Sequence, residues 1–156
     1  MKLKQILLLQ AELELMDKAT EHLRFSYERC LALDSKEYYT LDELEHFESL
    51  TSRFARLSDL LIQKLFRLIE QLDLEEQGTI RDQINHAEKK GLISSAEIFV
   101  EIRELRSNIV HEYDPTAMLT IFNAVTQYCP ALLDAVERIH RYSQKYVQED
   151  KTNYSL

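Results

Sequence analysis

From Lys4 to Ala32, apolar residues fall at Ile6, Leu9, Leu13, Met16, Leu23, Tyr27 and Cys30. Spacings of three, four and seven put one stripe on one face of a helix, which the pattern ends near Asp34 and Ser35. Thr40 with Glu43 three residues on reads as a capping box. The helix it opens carries a second stripe, Leu50, Phe54, Leu57, Leu61, Leu65, Leu68 and Leu72, and is expected to be the longest uninterrupted one. Polar residues and Gly78 break it. Thr79 then caps a short helix that closes at Gly91, a residue able to take the left-handed C-cap conformation. Ser94 with Glu97 predicts another capping box, opening a helix whose inward face is Ile98, Ile102, Leu105 and Ile109. Asp114 and Pro115 stop it and supply the N-cap and first position of a last helix, about Thr116 to Gln148, with a kink expected at Pro130 and a frayed polar tail over 149–156.

Composition agrees with that pattern. Only two Gly and two Pro occur in 156 residues, too few for the turns of a β-rich fold. The expectation is an all-α antiparallel bundle of about five helices with a Pro-kinked last helix, in one domain spanning 1–156. Cys30 and Cys129 form no metal-ligand or redox spacing and are read as reduced. The start, with Lys2 and Lys4 before Ile6 to Leu9, superficially resembles a signal peptide, but its apolar run ends at Gln10 and the helical period continues through Glu12 and Glu14. A cytoplasmic protein is therefore expected, with no membrane association, since no stretch is long enough to cross a bilayer. A net charge of −8 argues against a general coat for nucleic acid, so DNA is not an expected partner and any RNA contact must be local.

One segment carries chemistry, Leu105-Arg106-Ser107-Asn108-Ile109-Val110-His111-Glu112-Tyr113. The planar fork of Arg106 suits phosphate, and His111 is the side chain type best able to move protons near neutral pH. On a regular helix, residues five apart are separated by about 140°, so Arg106 and His111 cooperate most easily in a cleft shared by two chains. Arg106 and Tyr113, seven apart, fall within about 20° of each other, so the tyrosine hydroxyl is expected to sit beside the arginine and to border the same cleft. Arg103, one turn earlier, extends the positive patch or pairs with a neighbouring Glu. The plain alternative is an ordinary helix end, with His111 near the C-terminal dipole, Arg106 exposed and Tyr113 packed on the last helix.

The pattern R-x-x-x-x-H-x-Y, at the end of a penultimate helix and followed by an acidic residue and a long Pro-interrupted helix, resembles the HepT family of HEPN-domain proteins. Size, helical content and motif position extend the resemblance over nearly the whole chain. It implies the toxin of a type II toxin–antitoxin pair: a homodimer whose two motifs meet at the two-fold axis in a metal-independent endoribonuclease site that needs no cofactor. Arg106 would stabilise the phosphorane-like transition state, and His111 would act as general base or acid for attack by the ribose 2′-hydroxyl. The partner implied is an MNT-type nucleotidyltransferase antitoxin that transfers AMP from ATP onto Tyr113, placing bulk and negative charge beside Arg106. The chain departs from the family in having Ser107, followed by Asn108, where a more strongly polar residue usually follows the Arg. Ser107 can still hydrogen-bond, and four residues before His111 it could orient the imidazole.

Two other readings compete. The same fold could serve as a non-catalytic nucleotide-binding partner of a nucleotidyltransferase, with Arg106 and His111 holding phosphate. Glu43 with His46, and Glu137 with His140, match the Glu-x-x-His spacing of di-metal carboxylate bundles, although the first helix shows no Glu breaking its stripe. Solvated surface pairs are the simpler account of both, and His22 and His86, among charged neighbours, are expected at the surface.

Overall fold

A computed structural model describes the backbone of residues 2–154 and the side chains of residues 2–148. It is all helix: α1 (Lys2–Leu31), α2 (Leu41–Asp59), a π-helical turn (Leu60–Leu65), α3 (Phe66–Leu72), α4 (Ile80–Lys90), α5 (Ala96–His111) and α6 (Pro115–Tyr154). Helices α1, α2 and α6 pack on one another, α5 lies against α2 and α6, and α4 closes the side formed by α3 and α5. Among the described residues no helix is long and apolar enough to cross a membrane.

The two stripes form the core. Ile6, Leu9, Leu13, Met16, Leu23 and Cys30 of α1 are buried, as are all seven positions from Leu50 to Leu72. The second stripe does not lie on one regular helix. Consecutive spacings of four at Leu57, Leu61 and Leu65 would drift by about 40° per step on a 3.6-residue turn. The backbone absorbs that drift by widening, so that the Phe66 N–H donates to the carbonyl of Leu61, five residues back. All three leucines stay inside, together with Ile62, Phe66 and Ile69. The expectation of one regular rod is thereby corrected, and the longest helix is α6, of 40 residues, whose backbone continues beyond Gln148 to Tyr154. The rest of the expected frayed tail lies outside the described residues. Pro130 sits inside α6 with its ring exposed, where it removes one intrahelical donor.

The caps are mostly as read. Thr40 with Glu43, and Thr79 with Asp82, both form reciprocal capping boxes. Asp114 Oδ1 accepts from the Thr116 N–H at 2.9 Å, with Pro115 in the first turn of α6. At α5 the cap is one residue later than expected: Ser95, not Ser94, accepts from the Ile98 N–H, and Glu97 plays no part in a box. Ala96, Phe99, Ile102 and Leu105 face the core, while Ile98 and Ile109 of the expected inward face are half-buried.

Gly91 adopts φ +80°, the left-handed C-cap of α4. Nothing lies near the space a Cβ would occupy, so Gly91→Ala is strained by backbone conformation alone. The expected cost is about 1 kcal/mol, read as a fall of roughly 2–4 °C in melting temperature by circular dichroism.

Candidate functional site

Helix α5 presents Arg106 towards the end of α2. There Asp59 takes the guanidinium side-on: Arg106 Nε donates to Oδ1 and Nη2 donates to Oδ2, both at 2.7 Å. A bidentate pair of this kind fixes the plane of the fork, and the bond to Asp59 holds Arg106 charged still more firmly than usual. Occupying the Nε edge leaves the Nη1 edge without a partner among the described residues, so Arg106 keeps one face able to fork an oxyanion. The pair is one-third exposed on each side and is open to solvent.

The Arg106 side chain opens into a groove of about 230 Å³. Arg103 and Ser107, both singled out from the sequence, line it, together with Ser58, Asp59, Gln63 and the apolar Ile62 and Ile80. No ion pair to Arg103 is seen among the described residues, so it adds to the positive character of the groove instead of being neutralised by a neighbouring Glu. Asn108 and His111 are exposed on other parts of α5 and do not line this groove. His111 is the last helical residue, and no hydrogen bond joins it to Ser107. Since both residues lie within α5, the separation of about 140° between Arg106 and His111 stands.

Tyr113 requires a correction. The helix stops at His111, and Glu112 is extended at φ −94°, ψ 129°, so the helical register that would set Tyr113 beside Arg106 does not reach it. Glu112 itself causes the break: its Oε1 accepts from the backbone N–H groups of Tyr113 at 3.1 Å and Asp114 at 2.9 Å. Two carboxylates folded onto the link between α5 and α6 leave the tyrosine ring projecting outward, 88% exposed, and not packed on α6.

Asp59 is the residue that the sequence reading missed. It stands directly before the π-helical turn, on the flank of the leucine stripe, where it looks like one more surface acid. Only the fold shows that it meets a residue 47 positions away.

The other titratable clusters have local explanations. Glu43 caps Thr40 and accepts from Lys36 at 2.6 Å, while His46 contacts Arg29 and Asp42. Glu137 lies 4.0 Å from Arg24, and His140 contacts Asp17 at 2.5 Å. The two Glu-x-x-His pairs therefore face different partners and make no common centre. Glu12 of α1 is buried, contrary to the sequence reading, with Lys64 at 3.9 Å. His22 is exposed as expected; His86 is not, and lies against Glu70 at 2.7 Å and Glu75 at 3.4 Å. Glu70, Glu75 and His86 have the spacing of a metal-ligand group, but Lys90 already bonds Glu75 and Asp73 and supplies the positive charge there. Cys30 and Cys129 are buried and unpaired, and burial pushes their thiols up to about 11 and 12, leaving neither as a nucleophile.

No family model and no curated protein matches the chain.

Proposed function

We propose that this chain is a HepT-type endoribonuclease of the cytoplasm, the toxin of a toxin–antitoxin pair, acting as a homodimer without metal or cofactor. The observation that carries the reading is the pairing of Arg106 with Asp59: a guanidinium held in plane with its Nη1 edge open, on the same helix as a solvent-exposed His111. In the reaction, His111 takes the proton of a ribose 2′-hydroxyl as its oxygen attacks the adjacent phosphorus. Arg106 bonds the non-bridging oxygens as negative charge builds on them. The bond to the 5′-oxygen breaks, that oxygen takes a proton from the His111 imidazolium or from water, and a 2′,3′-cyclic phosphate remains on the other fragment. Because Arg106 and His111 diverge around α5, the complete site combines Arg106 of one protomer with His111 of the partner subunit.

Regulation by a nucleotidyltransferase antitoxin fits the exposure of Tyr113, whose hydroxyl stands clear of the fold for transfer of AMP from ATP. Tyr113 lies outside the helical register, so the modification would reach the cleft across the two-fold axis or by movement of the link, and not as a fixed neighbour of Arg106.

The test is incubation of the folded protein with total RNA, with end-group analysis of the fragments and growth measured on induction. Expected are cleavage in the presence of EDTA, 2′,3′-cyclic phosphate ends and growth arrest. A properly folded protein that cleaves no RNA and arrests no growth overturns the reading. Co-expression with a nucleotidyltransferase partner is expected to add AMP to Tyr113, read by peptide mass spectrometry, and Tyr113→Phe to abolish that addition.

A further inference from the structure

Beside the Arg106 groove lies a second one, about 380 Å³, between α1 and the end of α2 with its π-helical turn. Its floor is apolar, formed by Leu15, Ala19 and Leu60. Its rim is basic, with Lys18 and His22 from α1, Arg56 from α2 and Lys64 from the π-helical turn. Asp59 is the one acid in its lining, and that carboxylate is already committed to Arg106. Asp59 and Gln63 line both grooves, which makes the two adjoining parts of one surface. In a chain of net charge −8, such a run of cations from Lys18 and Lys64 through Arg56 to Arg106 and Arg103 marks the place where an anion can approach.

Resting on the ribonuclease reading, we infer that this groove seats one nucleotide of single-stranded RNA next to the phosphate held by Arg106. The base lies against Leu15 and Leu60, and the flanking phosphate is held by Arg56 and Lys64. Three observations favour this occupant. The volume matches a single small ligand buried on an apolar floor and is too small for a helix of a protein partner. Charge is complementary to a phosphodiester, and no ion pair to Lys18 or Arg56 is seen among the described residues, while Lys64 has only the long 3.9 Å contact to Glu12. Finally, continuity with the Arg106 groove gives the chain of phosphates a path between the two. The floor has no aromatic ring, so the base is held by shape and apolar contact, with little preference among the four bases.

The experiment measures binding, not cleavage. A fluorescein-labelled single-stranded RNA of mixed sequence is titrated, by anisotropy, into the protein carrying His111→Ala so that it is not cut. In that background, Arg56→Glu with Lys64→Glu is expected to weaken binding at least tenfold. It should also flatten the dependence of log K on log salt by about 0.7, from the one lost phosphate contact. Both side chains are exposed, so the fold is retained, which circular dichroism checks. As a second measurement, 4-thiouridine in the same RNA should photocrosslink to peptides containing Leu15 or Leu60. Unchanged affinity and salt slope, or crosslinks confined to other faces, overturn the inference. So does loss of binding to a polyglutamate peptide while RNA binding is retained, which would assign the groove to an acidic protein. Cleavage by the wild type with RNA affinity indifferent to Arg56 and Lys64 sinks the groove and leaves the nuclease. The reverse result, dependence without cleavage, does the opposite.

Discussion

On the proposed ribonuclease reading, Arg106→Ala and His111→Ala are each expected to lower RNA cleavage by at least about 100-fold, and mixing the two inactive proteins to restore part of the activity. The first statement follows from the roles proposed for Arg106 and His111. Arg106→Lys is expected to rescue little, because an ammonium cannot donate side-on to both Asp59 oxygens and still offer a second planar edge. Asp59→Asn tests the positioning role separately: it keeps the size of the side chain but loses the charge-assisted pair, and should reduce kcat by about tenfold with KM little changed. The mixing result tests the geometry. If each site joins Arg106 of one subunit to His111 of the other, a mixed dimer of the two mutants has one intact site and one doubly dead site. Random reassortment after co-refolding then recovers about a quarter of wild-type activity. Recovery of none, with mixed dimers demonstrated by mass, would place both residues in one chain's own site and reject the shared cleft.

What could be read from the residues, and what could not, divides along a physical line. Short-range causes were legible. The stripes of α1 and of the second helical rod are periodic, and Thr40, Thr79, Gly91 and Asp114 act on groups within a few residues of themselves. The chemistry-bearing residues Arg103, Arg106 and Ser107 were legible as residue types. Features that depend on competition between near-equal local options were misread. Ser94 and Ser95 are both good caps by residue type, and the helix starts from Ser95. Glu112 could have extended α5, but its carboxylate instead binds the two N–H groups ahead of it, which takes Tyr113 out of the helix. The π-helical turn follows from fitting a stripe with two successive spacings of four, a signal visible in the sequence once the drift is counted. Long-range pairs such as Asp59 with Arg106 leave no trace in a single sequence.

Asp73 is another such residue, and its loss will destabilise the protein more than any surface change considered above. It closes α3 and its carboxylate gathers three elements. Lys90 of α4 donates to it at 2.8 Å, the hydroxyls of Tyr142 and Tyr146 of α6 donate to both its oxygens, and Lys145 stands at 3.6 Å. The side chain is only 10% exposed. Burial alone would raise the Asp73 pKa, but the bonds from Lys90, Tyr142 and Tyr146 outweigh it and hold the carboxyl below its ordinary value. The same arrangement works in reverse on Tyr142, whose burial and bond to Asp73 push its pKa up and keep it a donor. Asp73→Ala removes the carboxylate that accepts from the Tyr142 and Tyr146 hydroxyls and leaves Lys90 to Glu75, at an expected cost of about 3 kcal/mol and a fall of roughly 6–12 °C in melting temperature. The pH dependence has a definite sign. A carboxylate whose pKa is lower when folded than when unfolded contributes fully above the unfolded value, about 3.9, and that contribution fades as pH falls through the folded value. Urea unfolding at pH 7 should therefore separate the wild type widely from Asp73→Asn, and the gap should narrow below about pH 4. A gap of equal size at pH 7 and pH 3 would mean that the ionised form of Asp73 is not what ties α3, α4 and α6 together.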